Sequence, residues 1–164
     1  MTQATTQATF ASQTIAVEHI KISSERPFAE VRRRLEGTIP MLDASIAQVL
    51  RGGDQKHATE YEESGPKLSI FEERDHGALL QTFGCRRNAL QYEIGNPLTA
   101  SKMTRYHSPL LSTRRSGWFC LRTSKARAFL NMTSHLPSLA SEQVAEVGRY
   151  LDVALEAALR KAAD

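Results

Sequence analysis

Residues 71–103, FEERDHGALLQTFGCRRNALQYEIGNPLTASKM, decide the fold. Apolar alternation predicts a strand over 67–73, with Leu68 and Ile70 or Phe71 inward, and Asp75-His76-Gly77 as the turn that follows it. The returning strand is predicted at 78–83, a connection at 84–88 and a third strand at 89–94. A helix then opens at Asn96-Pro97. Asn96 suits the cap, and Pro97 at the first helical position has no N–H to leave unsatisfied. Gly95 lets the backbone bend between strand and cap. The helix is predicted to run to about Tyr106, where Ser108-Pro109 breaks it.

Working outward, residues 14–23 read as a strand on the apolar positions Ile15, Val17, Ile20 and Ile22. Arg26-Pro27 opens a helix with Phe28, Val31 and Leu35 on one face and Arg32, Arg33, Arg34 and Glu36 on the other, ended by Gly37. A second short helix follows Pro40, with Leu42, Ile46, Val49 and Leu50 inward and Gly52-Gly53 as its stop. Residues 54–65 are polar and read as a loop. Residues 142–161 carry the clearest helical period, Val144, Val147, Leu151, Leu155 and Leu159, widened by Ala154 and Ala158, with Ser141 as cap. Helices at the front and end with antiparallel strands between them make an α+β domain. It is an antiparallel sheet with an N-terminal helix pair and a long C-terminal helix packed on it.

Composition narrows the class. At 164 residues the chain is one domain, expected over 14–164 behind a disordered Gln/Thr/Ala-rich tail at 1–13. Cys85 and Cys120 are too few for a disulfide framework, so a cytoplasmic location is expected. The first residues carry neither a basic nor an apolar run, and no stretch approaches the roughly 18 apolar residues of a membrane helix. The net charge of +3 hides an asymmetry: no acidic residue lies between Glu93 and Glu142. That span holds Lys102, Arg105, Arg114, Arg115, Arg122, Lys125 and Arg127.

The segments PFAEVRRRLE, FEERDHGALL, YEIGNPLTASKM and SEQVAEVGRYLDVALEAAL together resemble the bacterial domain of unknown function family 302. The resemblance covers roughly 14–107 and 141–160, and Gly95, Asn96, Pro97, Ala100 and Met103 are its most specific element. It implies a TATA-binding-protein-like α+β fold, ordered strand, helix, several strands, helix, and a homodimer. It implies no catalytic residues, because the family's role is not established.

Residues 108–140 depart from that family, whose members have there a Tyr-Ala-Pro-Leu-Arg segment and two strands. The stretch is rich in Ser, Arg and Leu and shows no helical or strand period over any length; if it is read in a displaced frame, the chain as written is expected to lose two strands of its sheet. A second reading of the same stretch joins the third base of each codon to the first two of the next. Trp118 has one codon, which forces valine at its junction with Phe119. The Phe119–Cys120 junction gives leucine, Asn131–Met132 gives tyrosine or histidine, and Met132–Thr133 gives aspartate. With ordinary codon choices the window reads AALYAPLRVVLFENEQG and, further on, EYDVPS, which restores the family pattern and its acids.

The function expected is non-catalytic: a binding domain for a small anionic ligand or a protein partner at the helix start. Gly95, Asn96, Leu98 and Thr99 present backbone N–H groups at the positive end of the helix dipole, with Lys102 and His76 as polar neighbours. A plain structural helix start gives the same residues. An alternative is an enzyme or metal-binding protein using His76, Cys85, Met103 or His107. His76 is set on a turn beside Asp75, Cys85 precedes two arginines, and Met103 and His107 share a helix face at i and i+4. Nucleic-acid binding is a further alternative, through the basic 102–127 segment with Tyr106, Trp118 and Phe119 as stacking groups. No metal ion or cofactor is expected for the first reading.

Overall fold

The computed structural model describes residues 12, 18–99, 101, 117–124, 127–134 and 142–164. Five strands, β1 (Glu18–Ser24), β2 (Ser69–Asp75), β3 (Ala89–Gly95), β4 (Gly117–Ser124) and β5 (Arg127–Ser134), form one antiparallel sheet in the order β1-β5-β4-β3-β2. Around it lie α1 (Phe28–Thr38), α2 (Ala44–Arg51), α3 (Gln55–Ser64), α4 (His76–Gln81) and the long C-terminal α5 (Glu142–Ala163). The chain is α+β, with helices segregated against an antiparallel sheet.

The core lies between the sheet and the pair α1 and α5. Val31, Leu35 and Ile39 descend from α1 and Leu155, Leu159 and Ala162 from α5. They meet Ile70, Leu90, Tyr92, Ile94, Ala128, Leu130 and Met132 of the sheet. Each large apolar side chain so buried contributes about 1.5–3 kcal/mol. The predicted faces of both helices are the buried ones, although α1 runs one residue past Gly37 and brings Ile39 inside. Three groups of the β1–α1 corner close the C-terminal end of α5, where helical carbonyls lack partners. Ser24 Oγ donates to Ala163 O at 2.5 Å, Arg34 Nη2 donates to Lys161 O at 2.8 Å, and Arg26 Nη2 donates to Asp164 O. Arg26 and Arg34 thus cap a helix more than a hundred residues away.

Four sequence expectations are corrected. Residues 55–64 form α3 rather than a loop: Asp54 Oδ1 accepts from His57 N at 3.2 Å, and good helix formers follow it. Residues 76–81 form α4 rather than a returning strand, because Asp75 Oδ1 accepts from Ala78 N at 2.9 Å and caps the helix. That helix ends in a Schellman motif: Gly84 at φ 72°, with Cys85 N donating to Leu80 O and Gly84 N donating to Gln81 O. The apolar residues of α2 are only half-buried, so that helix does not reach the core.

The fourth correction concerns the strands thought lost. β4 and β5 stand within the sheet, paired with each other from Phe119 opposite Met132 to Ser124 opposite Arg127. Ala128, Leu130 and Met132 do alternate, and all three are essentially inaccessible to solvent. A period of two was present on β5, masked by the Ser- and Arg-rich residues around it. The helix at Pro97 is described only at 97–99 and 101; its predicted run to Tyr106, the tail at 1–11 and the start of the first strand lie outside the described residues.

Candidate functional site

The helix start after β3 is built as the sequence suggests, and Asn96 consumes what it offers. Asn96 Oδ1 accepts from both Leu98 N and Thr99 N at 3.0 Å, so these amides are already bonded. Its Nδ2 donates to Lys67 O at 3.2 Å and to Pro66 O at 3.4 Å, tying the helix start to the segment leading into β2. Gly95 is buried against Phe71: a Cβ there would stand 3.1 Å from the ring. Phe71 sits where β2 shifts register between Ile70 and Glu72, and its ring covers a glycine on the neighbouring strand. Lys102 lies outside the described residues.

His76 is held elsewhere. Its Nε2 lies 2.6 Å from Gln91 Oε1, near the start of β3, whereas Gly95 ends that strand. Four residue steps along the strand lead from Gln91 to Gly95, about 13 Å of extended chain. The structure therefore does not bring His76 to the helix start. His76 and Cys85 are both on the α4 connection, with Cys85 a free, exposed thiol. Among the described residues no group of three or more His, Cys, Asp or Glu could hold a metal ion. Met103 and His107 lie outside those residues. Of the basic segment, Arg122 and Arg127 occupy register positions in β4 and β5, opposite Ala89 and Ser124.

One polar cluster was not foreseen. On α1, Arg32 Nε donates to Glu36 Oε1 at 2.7 Å, and its Nη2 donates to Glu73 Oε1 at 3.0 Å on β2. Tyr92, fully buried on β3, donates its hydroxyl to Glu36 Oε1 at 2.9 Å. Burial, then the bond to Glu36, pushes the Tyr92 phenol far above its ordinary value. Burial also raises the Glu73 carboxyl, with Arg32 opposing it. The bond to Glu36 raises Arg32. The signal was available: Arg32 and Glu36 are one helical turn apart, and Glu73 pairs with Tyr92 across the strands. The cluster joins α1 to β2 and β3 beside the core, with the phenol turned inward rather than towards solvent.

No family model matches this sequence, and no curated protein does. In the solved structures, the crystal structure of an uncharacterized conserved DUF302 protein from Bacillus stearothermophilus superimposes with a TM-score of 0.59, covering 88% of this chain and 97% of that one. The chain has the fold of that DUF302 protein. At 12% identity the likeness is one of fold, and it agrees with the DUF302 resemblance carried by the sequence segments. Among the described residues no helix is long and apolar enough to cross a membrane.

Proposed function

We propose that this DUF302-like chain is a non-catalytic binding domain, acting as a homodimer in the cytoplasm. The observation that supports binding over turnover is how its titratable side chains are used. His76 faces Gln91, Asp75 caps α4, and Arg32, Glu36, Glu73 and Tyr92 fasten a helix to the sheet. Each joins structural elements rather than converging on open space.

The small-anion version of this reading places the ligand at Gly95, Asn96, Leu98 and Thr99, with Lys102 alongside and without His76. An anion there competes with Asn96 Oδ1 for the amides of Leu98 and Thr99, and the helix dipole favours the charged competitor. Titrating the protein with inorganic phosphate while following amide chemical shifts tests it. Saturable shifts confined to Leu98 and Thr99, lost in Thr99→Val, support the site. Absence of any localised shift removes it and leaves a protein partner. Light scattering on the purified chain tests the dimer.

A further inference from the structure

We propose that the α4–β3 connection is a membrane-contact tip that docks on an anionic lipid surface, a role separate from the helix-start site. Residues 81–88 are all exposed. Leu79 and Phe83, one helical turn apart, are 64% and 84% exposed, the third-highest and highest values among the described large apolar side chains. The second-highest, Val153 at 68%, lies on α5. A phenylalanine left so far out costs hydration free energy unless something covers it. Arg86 and Arg87 follow directly and are exposed too. Between Asp75 and Glu93 there is no acidic residue, and the Asp75 carboxylate is turned back to cap α4. The tip thus joins apolar wedge and positive charge with no nearby acid of its own sequence to repel an anionic surface.

The tip is also pre-shaped. Gly77 is buried, and a Cβ there would stand 2.4 Å from Arg87 O, so the outgoing chain is packed directly on the helix start. The Schellman motif at Gly84 and the His76–Gln91 contact hold both ends. Docking therefore orders little that is not already ordered. Residues 81–88 are exposed throughout, and an interfacial lipid layer accepts an exposed apolar wedge flanked by arginines without a matching pocket, whereas a protein partner would have to supply one. Two arginines near an anionic surface favour it over a neutral one about thirtyfold.

The test is co-sedimentation of the full chain with sucrose-loaded vesicles, pure phosphatidylcholine against an equimolar mixture with phosphatidylglycerol. The expected result is binding about thirtyfold tighter to the mixed vesicles, abolished by raising salt. Arg86→Gln with Arg87→Gln should erase that preference, and Phe83→Ser should weaken binding about tenfold. Phe83→Trp should add a blue-shifted emission on the mixed vesicles beyond that of the parent chain. All these positions are exposed, so circular dichroism should report the native fold throughout. Equal partition into both vesicle types, binding indifferent to the tip variants, or tip-dependent binding to a soluble acidic protein without vesicle binding would each overturn the proposal.

Discussion

The two halves of the sheet are held by different means. β2 and β3 are fixed by particular devices: a register shift at Phe71, a glycine beneath its ring, an asparagine that ties two segments, and the Arg32–Glu36–Glu73–Tyr92 cluster. β4 and β5 show a regular ladder and the buried row Ala128, Leu130 and Met132. One half is specified by chemistry that only certain residues can supply. The other rests on apolar alternation, which many sequences meet. A binary pattern suffices to place a central strand, while an edge region with a bulge and a helix start needs named side chains.

The sharpest way to break this comparison is to empty the regular half. Leu130→Ala should cost about 2–5 kcal/mol, as large as Ile70→Ala at the same depth, read as a shift of the urea midpoint. If Leu130→Ala is silent while Ile70→Ala is not, the β4–β5 pair is not carrying core. The same question can be put to the gene. We propose that residues 108–140 are read in a displaced frame. Resequencing codons 105–142 should then give the tyrosine-alanine-proline-leucine-arginine strand, and a confirmed printed frame would remove the proposal. A chain carrying that stretch should keep the fold and unfold at a higher temperature. An unchanged or lower melting temperature would count against it.

Smaller effects probe the specified half. Gly77→Ala places a methyl group against Arg87 O and should cost about 1–3 kcal/mol, whereas Gly37→Ala, open to solvent in a helix, should be neutral or stabilising. Asn96→Ala removes both amide bonds and should cost about 1 kcal/mol. The smallest is a pH effect at Glu73. Because burial raises its folded value, the carboxyl favours the folded state while protonated. That contribution is full below the unfolded value of about 4.3 and is lost as pH rises through the folded one. Glu73→Gln should therefore flatten the loss of stability on going from acid to neutral pH, measured by thermal melts across that range.

The same division explains what could be read from the sequence. α1 and α5 were legible because Val31, Leu35, Leu155 and Leu159 repeat at helical spacing over several turns. β3 was legible for the same reason at period two. α4 was not legible because six residues are too few for a period, and an aspartate such as Asp75 suits a turn as well as the helix cap it forms. α3 was missed because it has almost no apolar face to betray it. The helix start was found by its motif, yet sequence could not show that Asn96 would occupy the very amides left for a ligand. Nor could it show that His76 belongs to the other end of β3.

The corner where Ser24, Arg26 and Arg34 meet the end of α5 bears on how the protein is made. Among the described residues β1 finds its only strand neighbour in β5, and the helix laid over it, α5, follows all five strands in the chain. On the ribosome, β1 and α1 emerge long before either partner and must wait, with Ile20, Ile22, Val31 and Leu35 uncovered. Folding of this domain is therefore expected to finish only after release of α5 from the exit tunnel, which leaves the nascent chain dependent on chaperones for most of its synthesis.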